Sequence, residues 1–172
     1  PHIPTAPNEL YFDIEAEPEL NLDYLLGVLL VNREENTKQF YSFIAKNPEE
    51  EGIIWQQFLN FVSNYTESPI FHYSEYEVET LKRLTNLYNT SPKQLEELSA
   101  RCIDLHALVM NTVILPVENY SLKTIGKWLG LKWRNEGASG DQCVCWYDEW
   151  LKTRDQHFLE LILSYNEDDC AA

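Results

Sequence analysis

Long apolar runs are missing from this chain: no stretch approaches the roughly 20 residues that a membrane-spanning helix needs, and the N-terminus carries no basic-then-apolar leader. No membrane partner is expected. Paired cysteines are missing too. Cys102, Cys143, Cys145 and Cys170 form no CxxC and have no histidine at zinc-finger spacing, so they read as buried free thiols, in keeping with a cytoplasmic protein. Asn64, Asn89 and Asn119 open Asn-x-Ser/Thr triplets, which carry meaning only in a secreted chain. Basic residues are scarce: 13 Lys and Arg stand against 28 Asp and Glu, a net charge of −15. Phosphate contacts supply most nucleic-acid affinity, so this balance argues against free-standing nucleic-acid binding. It suits a multivalent-cation site, or a domain that borrows its basic surface from a neighbour.

What is present is enough for one core. The 172 residues are 44% apolar, a single domain able to bury about two-thirds of its unfolded surface. Residues 1–9, with Pro1, Pro4 and Pro7 and no strand or helix period, read as a linker from an upstream domain. The last residues, Cys170-Ala171-Ala172, sit in a helical pattern without a terminal Gly or Pro. The expectation is a domain over 10–172 excised from a longer chain.

Three strands open that domain: Leu10–Glu15 and Thr37–Ala45 alternate, and Tyr24–Asn32 is rich in β-formers. The polar turns 17–23 and 33–36 are short enough for antiparallel hairpins. Asn47 as N-cap and Pro48 at the first position predict a helix with Ile54, Phe58, Phe61 and Val62 as its stripe. A short strand at Pro69–Tyr73, helices from Ser74 to Tyr88 and from Ser91-Pro92, and a fifth strand at Arg101–Asp104 follow. Helices are expected over Leu105–Met110, Ser121–Leu129, about Ser139–Leu151 and Asp155–Cys170. Hairpins first, then strands alternating with helices, predict an α/β fold: a mixed sheet with helices on both faces.

Carboxylates recur at apolar places in this pattern. On the first strand Tyr11, Asp13 and Glu15 share one face, Phe12 and Ile14 the other. On a central strand two such carboxylates repel and desolvate each other unless a cation neutralises them; on an edge strand they form a solvated polar face. Glu77, Leu81, Leu84 and Tyr88 make one helical stripe, while Glu75 and Glu79 point elsewhere. A helix dipole, worth ~0.3–1 kcal/mol, suits any of the three glutamates equally. Near the end, Phe158, Leu161 or Ile162, Tyr165 and Asp169 form another stripe, with Glu167 and Asp168 as a solvated helix end. A strand pair plus single carboxylates on two later helices is the all-oxygen set that two hard cations need, Mg²⁺ or Mn²⁺.

Asp13-x-Glu15, Glu77 and Tyr165-x-x-x-Asp169 together resemble the DEDD 3′→5′ exonuclease superfamily in its tyrosine subclass. More narrowly, YFDIEAEPE, FHYSEYEVETLKRL, NYSLKTIGKWLGLKWR and YNEDDC resemble the ribonuclease-H-like domain attached to RecB-type nuclease or helicase modules, over Leu10 to Cys170. The resemblance implies a five-stranded sheet of order 3-2-1-4-5 with Asp13 and Glu15 on the central strand. It implies two Mg²⁺ or Mn²⁺ ions, with Asp13 bridging them, Glu15, Glu77 and Asp169 completing the ligands, and Tyr165 orienting the attacking water. Where the histidine subclass carries His, this chain has Ser164. The superfamily's second motif usually ends in Asp with Asn four residues earlier; here Glu77 and Tyr73 stand at those places.

The implied activity is hydrolysis of single-stranded DNA or RNA ends, with two cations about 3.5–4 Å apart activating a water and stabilising the attacking and leaving oxygens. The alternative is a catalytically weak docking or substrate-guiding module for a RecB-like nuclease or helicase domain in the same longer chain, which the −15 charge favours. Between Asn119 and Asn135 lies a stretch with four basic residues and no acidic one after Glu118: Lys123, Lys127, Lys132 and Arg134, beside Trp128 and Trp133. Lys123, Lys127, Trp133 and Arg134 are the candidate nucleic-acid contacts; a solvated face over a core helix reads equally from the lysines. His72 and His106 are expected as core histidines, and Asp104 as a structural hydrogen-bond partner.

Overall fold

Strand alternation decides how the centre of the molecule is divided. In the computed structural model, which describes residues 2–172, β1 (Asn8–Glu17) pairs antiparallel with β2 (Leu22–Asn32), and β2 with β3 (Thr37–Ile44). On its other side β1 is parallel to β4 (Ile70–His72), which is parallel to β5 (Cys102–Asp104). The sheet order is β3-β2-β1-β4-β5, as expected, with β1 in the middle. Of the linker expected over 1–9, Pro1 lies outside the described residues, and Asn8 and Glu9 already belong to β1, opposite Asn32 and Val31. The turn expected over 17–23 is tighter. A single 3₁₀ turn, Pro18–Leu20, closes because the Glu19 N–H donates to the Glu17 carboxylate at 2.8 Å and Asn21 takes a left-handed φ of 48°. Next to Glu15 the register slips, leaving Tyr24 as an extra residue in β2, and such a bulge re-aims the side chains beside it.

Among the described residues there are seven α-helices: α1 (Glu51–Val62), α2 (Glu75–Leu87), α3 (Pro92–Arg101), α4 (Leu105–Thr112), α5 (Leu122–Trp128), α6 (Gly140–Thr153) and α7 (Gln156–Ala171). Ser74, Ser91, Asp104, Ser121, Ser139 and Asp155 each cap one of the last six, accepting from a first-turn N–H; such caps contribute ~1 kcal/mol each. Asp104 is thus the structural hydrogen-bonding residue expected. Asn47 is not the cap expected of it. A 3₁₀ turn, Pro48–Glu50, precedes α1, and the Asn47 side-chain oxygen accepts from the Arg154 guanidinium at 2.7 Å instead.

Even-numbered residues of β1 face α1, where Phe12 stacks on Phe58 at 4.8 Å. Odd-numbered ones face α6 and α7; on that side Tyr24 stacks on Tyr147 at 3.9 Å, and the Tyr147 hydroxyl donates to the Ala45 carbonyl at 2.8 Å. Among the described residues no helix is long and apolar enough to cross a membrane. All four cysteines are free, though Cys145 is exposed rather than buried, because it lies on the solvent side of α6 opposite Cys143 and Tyr147. His72 is buried as expected, its Nδ1 2.7 Å from the Ser74 carbonyl oxygen, whereas His106 is only half buried, edge-on to Tyr73.

An ionic clamp fixes α2 against the sheet. Arg83 on α2 reaches Asp23 at 2.5 Å and Glu51 at 2.6 Å; Tyr76 donates to Asp23, Tyr88 to Glu51, and the Asp23 N–H to Glu51. Both carboxylates are buried, so removing the guanidinium strands two charges. Arg83→Met is expected to cost about 3 kcal/mol, the low end for a broken buried pair because the guanidinium is itself 37% exposed. Lys82→Met, which breaks only the exposed pair to Glu79, should cost under about 1 kcal/mol. Urea denaturation of the two variants checks the ranking; equal losses would show that the clamp does not stabilise the fold.

Candidate active site

Three of the four predicted carboxylates converge. Asp13 and Glu15 project from the central strand toward α7, where Asp169 meets them, and one oxygen of each lies within 4.8 Å of the others. At that separation two full charges repel by about 3 kcal/mol at an effective dielectric of 20. Burial adds to the effect. It holds the Asp13 carboxyl well above the ordinary carboxylate range, with the charges of Glu15, Asp169 and Glu77 raising it further. Glu15 is pushed up to about 8, first by burial and then by Asp169. Asp169 is raised to about 6 by burial, against the pull of Trp133, Lys123 and Tyr165.

Glu77 stands apart from that trio but lines the same cleft. It is buried in the first turn of α2, accepts from the Ser74 hydroxyl at 2.9 Å, and lies 3.7 Å from His72 Nδ1. The cleft, about 430 Å³, is lined by Asp13, Glu77, Tyr165, Asp169 and Lys123, together with Tyr73, Ser74, His106, Ser121 and Leu122. Tyr73, at the place where the resemblance expects Asn, donates its hydroxyl to the Tyr120 carbonyl at 2.7 Å. The ring of Tyr165 is buried, and burial with the nearby carboxylates keeps its phenol protonated well above the usual range. Asp13, Glu15 and Asp169 offer only carboxylate oxygen, a donor set that fits Mg²⁺ or Mn²⁺ and not a soft metal. Their raised proton affinities mark a centre short of positive charge.

The expected nucleic-acid contacts divide. Lys127 is exposed on α5 and, with Lys132, lines a neighbouring pocket of about 660 Å³. The Lys123 ammonium turns inward: it donates to the Ala138 carbonyl and lies 4.3 Å from the centre of the Tyr165 ring. Trp133 also lines the neighbouring pocket, but its indole N–H donates to Asp169 at 2.6 Å. Arg134 pairs with Asp168 at 2.8 Å and Glu167 at 3.4 Å and donates to the Ser164 carbonyl. The 133–134 segment is therefore tied to the end of α7 through two consecutive aspartates.

The buried face of α7 keeps Ile162 and Tyr165 of the expected stripe but takes in others beside them. Leu159, Ile162, Tyr165, Asn166 and Cys170 are its buried residues, whereas Phe158 and Leu161 are only half buried. Asn166, which donates to Asp13, is the site residue that the sequence reading misses. The spacing Leu159, Ile162, Asn166, Cys170 (three, four, four) carries the signal: one amide in an otherwise apolar stripe.

Residues 10–172 match a protein-family model, RNase_H_2, described as RNase_H superfamily. The chain belongs to the RNase H superfamily, and its fold is of the nuclease type. No curated protein and no solved structure matches it at a significant level.

A carboxyl raised above its unfolded value binds more protons folded than unfolded, so stability falls as pH rises. For Glu15 and Asp169 that loss begins above the unfolded carboxyl range near pH 4 and is complete above about 8, where Glu15 titrates. The metal-free protein should therefore melt lower at pH 8 than at pH 5. Mn²⁺ at a hundredfold excess over its Kd should add about 2.7 kcal/mol, with a shift that grows with pH as protons leave the site. Asp13→Asn should abolish the shift. An equal shift in that variant, or one that shrinks with pH, counts against a metal centre.

Proposed function

We propose that this domain is a metal-dependent 3′→5′ exonuclease of the tyrosine subclass, acting on single-stranded DNA or RNA ends. The observation that carries the reading is the trio of carboxylates within 4.8 Å, Glu15 buried and Asp13 and Asp169 half-buried, opening on a cleft that also holds Tyr165. Asp13, Glu15 and Asp169 would hold one divalent cation, and Asp13 with Glu77 across the cleft would hold the second. Bound cations supply Lewis acidity to the water and to the phosphate oxygens.

The chain's own residues do the rest. The Tyr165 phenol stays protonated, so it orients a water by hydrogen bonding without ionising, and its buried ring keeps the hydroxyl in place. Lys123 puts a positive charge beside the trio, lowering Glu15 and Asp169 toward their ionised forms. Trp133 fixes the Asp169 carboxylate through its indole N–H.

One observation favours the second reading, a docking or guiding module joined to a RecB-like nuclease or helicase domain. In a chain of charge −15, Lys123 and Arg134 have internal partners, so Lys127 and Lys132 carry most of the outward positive charge beside the cleft. Strand-holding surface would then come from the adjoining domain.

Tyr165→Phe separates the two. For an exonuclease, melting temperature and Mn²⁺ affinity should hardly change, while turnover of a labelled single strand falls at least the roughly 10–100-fold typical of groups that support a metal site. The strand should shorten from its 3′ end one nucleotide at a time. Asp169→Asn should abolish hydrolysis. Asp168→Asn should lower it much less, by loosening Arg134 and the neighbouring Trp133. Wild-type protein that binds Mn²⁺ yet leaves every single strand intact supports the docking module.

A further inference from the structure

Asn166 is the one amide on the buried face of α7, and it is 0% exposed. Its Nδ2 donates to the Asp13 carboxylate at 2.9 Å and reaches the Asp13 backbone carbonyl at 3.3 Å. The same amide also acts against the raised proton affinity of Glu15. Its Oδ1, by contrast, has no partner. Only this orientation sets hydrogens against acceptors; the reverse would aim Oδ1 at two oxygens of Asp13. The unpartnered oxygen lies against Gly27, the β2 residue paired with Asp13. A Cβ on residue 27 would stand 1.6 Å from Oδ1 and 2.8 Å from Cγ of Asn166. No side chain fits at 27 while the amide stays where it is.

For stability alone this arrangement is poor. A buried acceptor without a partner is unfavourable, and a glycine inside a strand adds conformational freedom to the unfolded chain. A leucine at 166 beside an alanine at 27 would serve a purely structural core better.

We propose that Asn166 is a positioning residue for the metal centre and that Gly27 is the seat that lets it reach Asp13. Gripping both backbone and carboxylate of Asp13 fixes the plane of that carboxyl group, so its free lone pairs face the cleft. A carboxylate that serves two cations needs that orientation held by its surroundings, not found on binding. The inference rests on the metal-dependent reading of the site.

Its test is a double-mutant cycle read by calorimetric titration of Mn²⁺, at a temperature where every variant is folded. Asn166→Ala and Gly27→Ala should each weaken Mn²⁺ binding about 10–100-fold. The double variant should bind no more weakly than the weaker single one, because both changes remove the same contact. Gly27→Ala should also lower the melting temperature, and Asn166→Ala should restore it by removing the clash. Asn166→Leu separates positioning from packing: metal-free melting close to wild type with weakened Mn²⁺ binding is the expected pair of results. Variants that bind Mn²⁺ as wild type does, or losses that add in the double variant, would overturn the proposal alone. A wild-type protein that binds no Mn²⁺ would overturn it together with the metal-dependent reading.

Discussion

Asp13, Glu15 and Asp169 each bring one carboxylate oxygen within 4.8 Å of the others, Glu15 buried and the other two half-buried, and the fold has to hold them there. Left alone they repel, and they resist losing their protons. A native fold keeps such a cluster only if its scaffold is stiff enough to prevent the groups from moving apart. The central strand supplies Asp13 and Glu15 with neighbours on both sides, and a sixteen-residue helix supplies Asp169. Around them, indole, ammonium and amide groups act against the raised proton affinities without cancelling them. What is left over is a local deficit of positive charge, which is what a site built for divalent cations presents in their absence.

The same economy of cations runs through the whole molecule. Arg33 pairs with buried Glu9, Arg83 with buried Asp23 and Glu51, and Arg134 with Asp168. Each of these guanidiniums neutralises an acidic residue of the fold itself. A net charge of −15 with three of the five arginines so engaged leaves a surface poorly suited to hold a polyanion unaided. Fold and charge thus point in different directions, one toward cutting a strand and the other toward a neighbour that holds it.

Much of this was legible in the residues. The alternation of Tyr11, Asp13 and Glu15 against Phe12 and Ile14 predicts two faces, and the strand puts one carboxylate pair on one of them. Capping serines and aspartates mark the helix starts because short polar side chains compete for first-turn amides. What was not legible depends on partners far apart in sequence. Asn47 has the right chemistry for a cap, but Arg154, 107 positions away, takes its oxygen. Trp133 is legible as a base-stacking candidate, but the bond from its indole N–H to Asp169, 36 positions on, is not. Asn166 hides in YNEDDC behind the more conspicuous acids, and its partner Asp13 is 153 positions earlier. Along α7 the expected stripe holds at Ile162 and Tyr165, while Leu159 is buried in place of the equally apolar Phe158.

As proposed, Asp13, Glu15, Asp169 and, across the cleft, Glu77 would together hold two divalent cations. Anomalous diffraction from crystals of the protein grown with Mn²⁺ tests it most directly. Two peaks about 3.5–4 Å apart are expected, the first among the oxygens of Asp13, Glu15 and Asp169, the second between Asp13 and Glu77. Crystals that take up Mn²⁺ elsewhere while this cleft stays without a peak would contradict it.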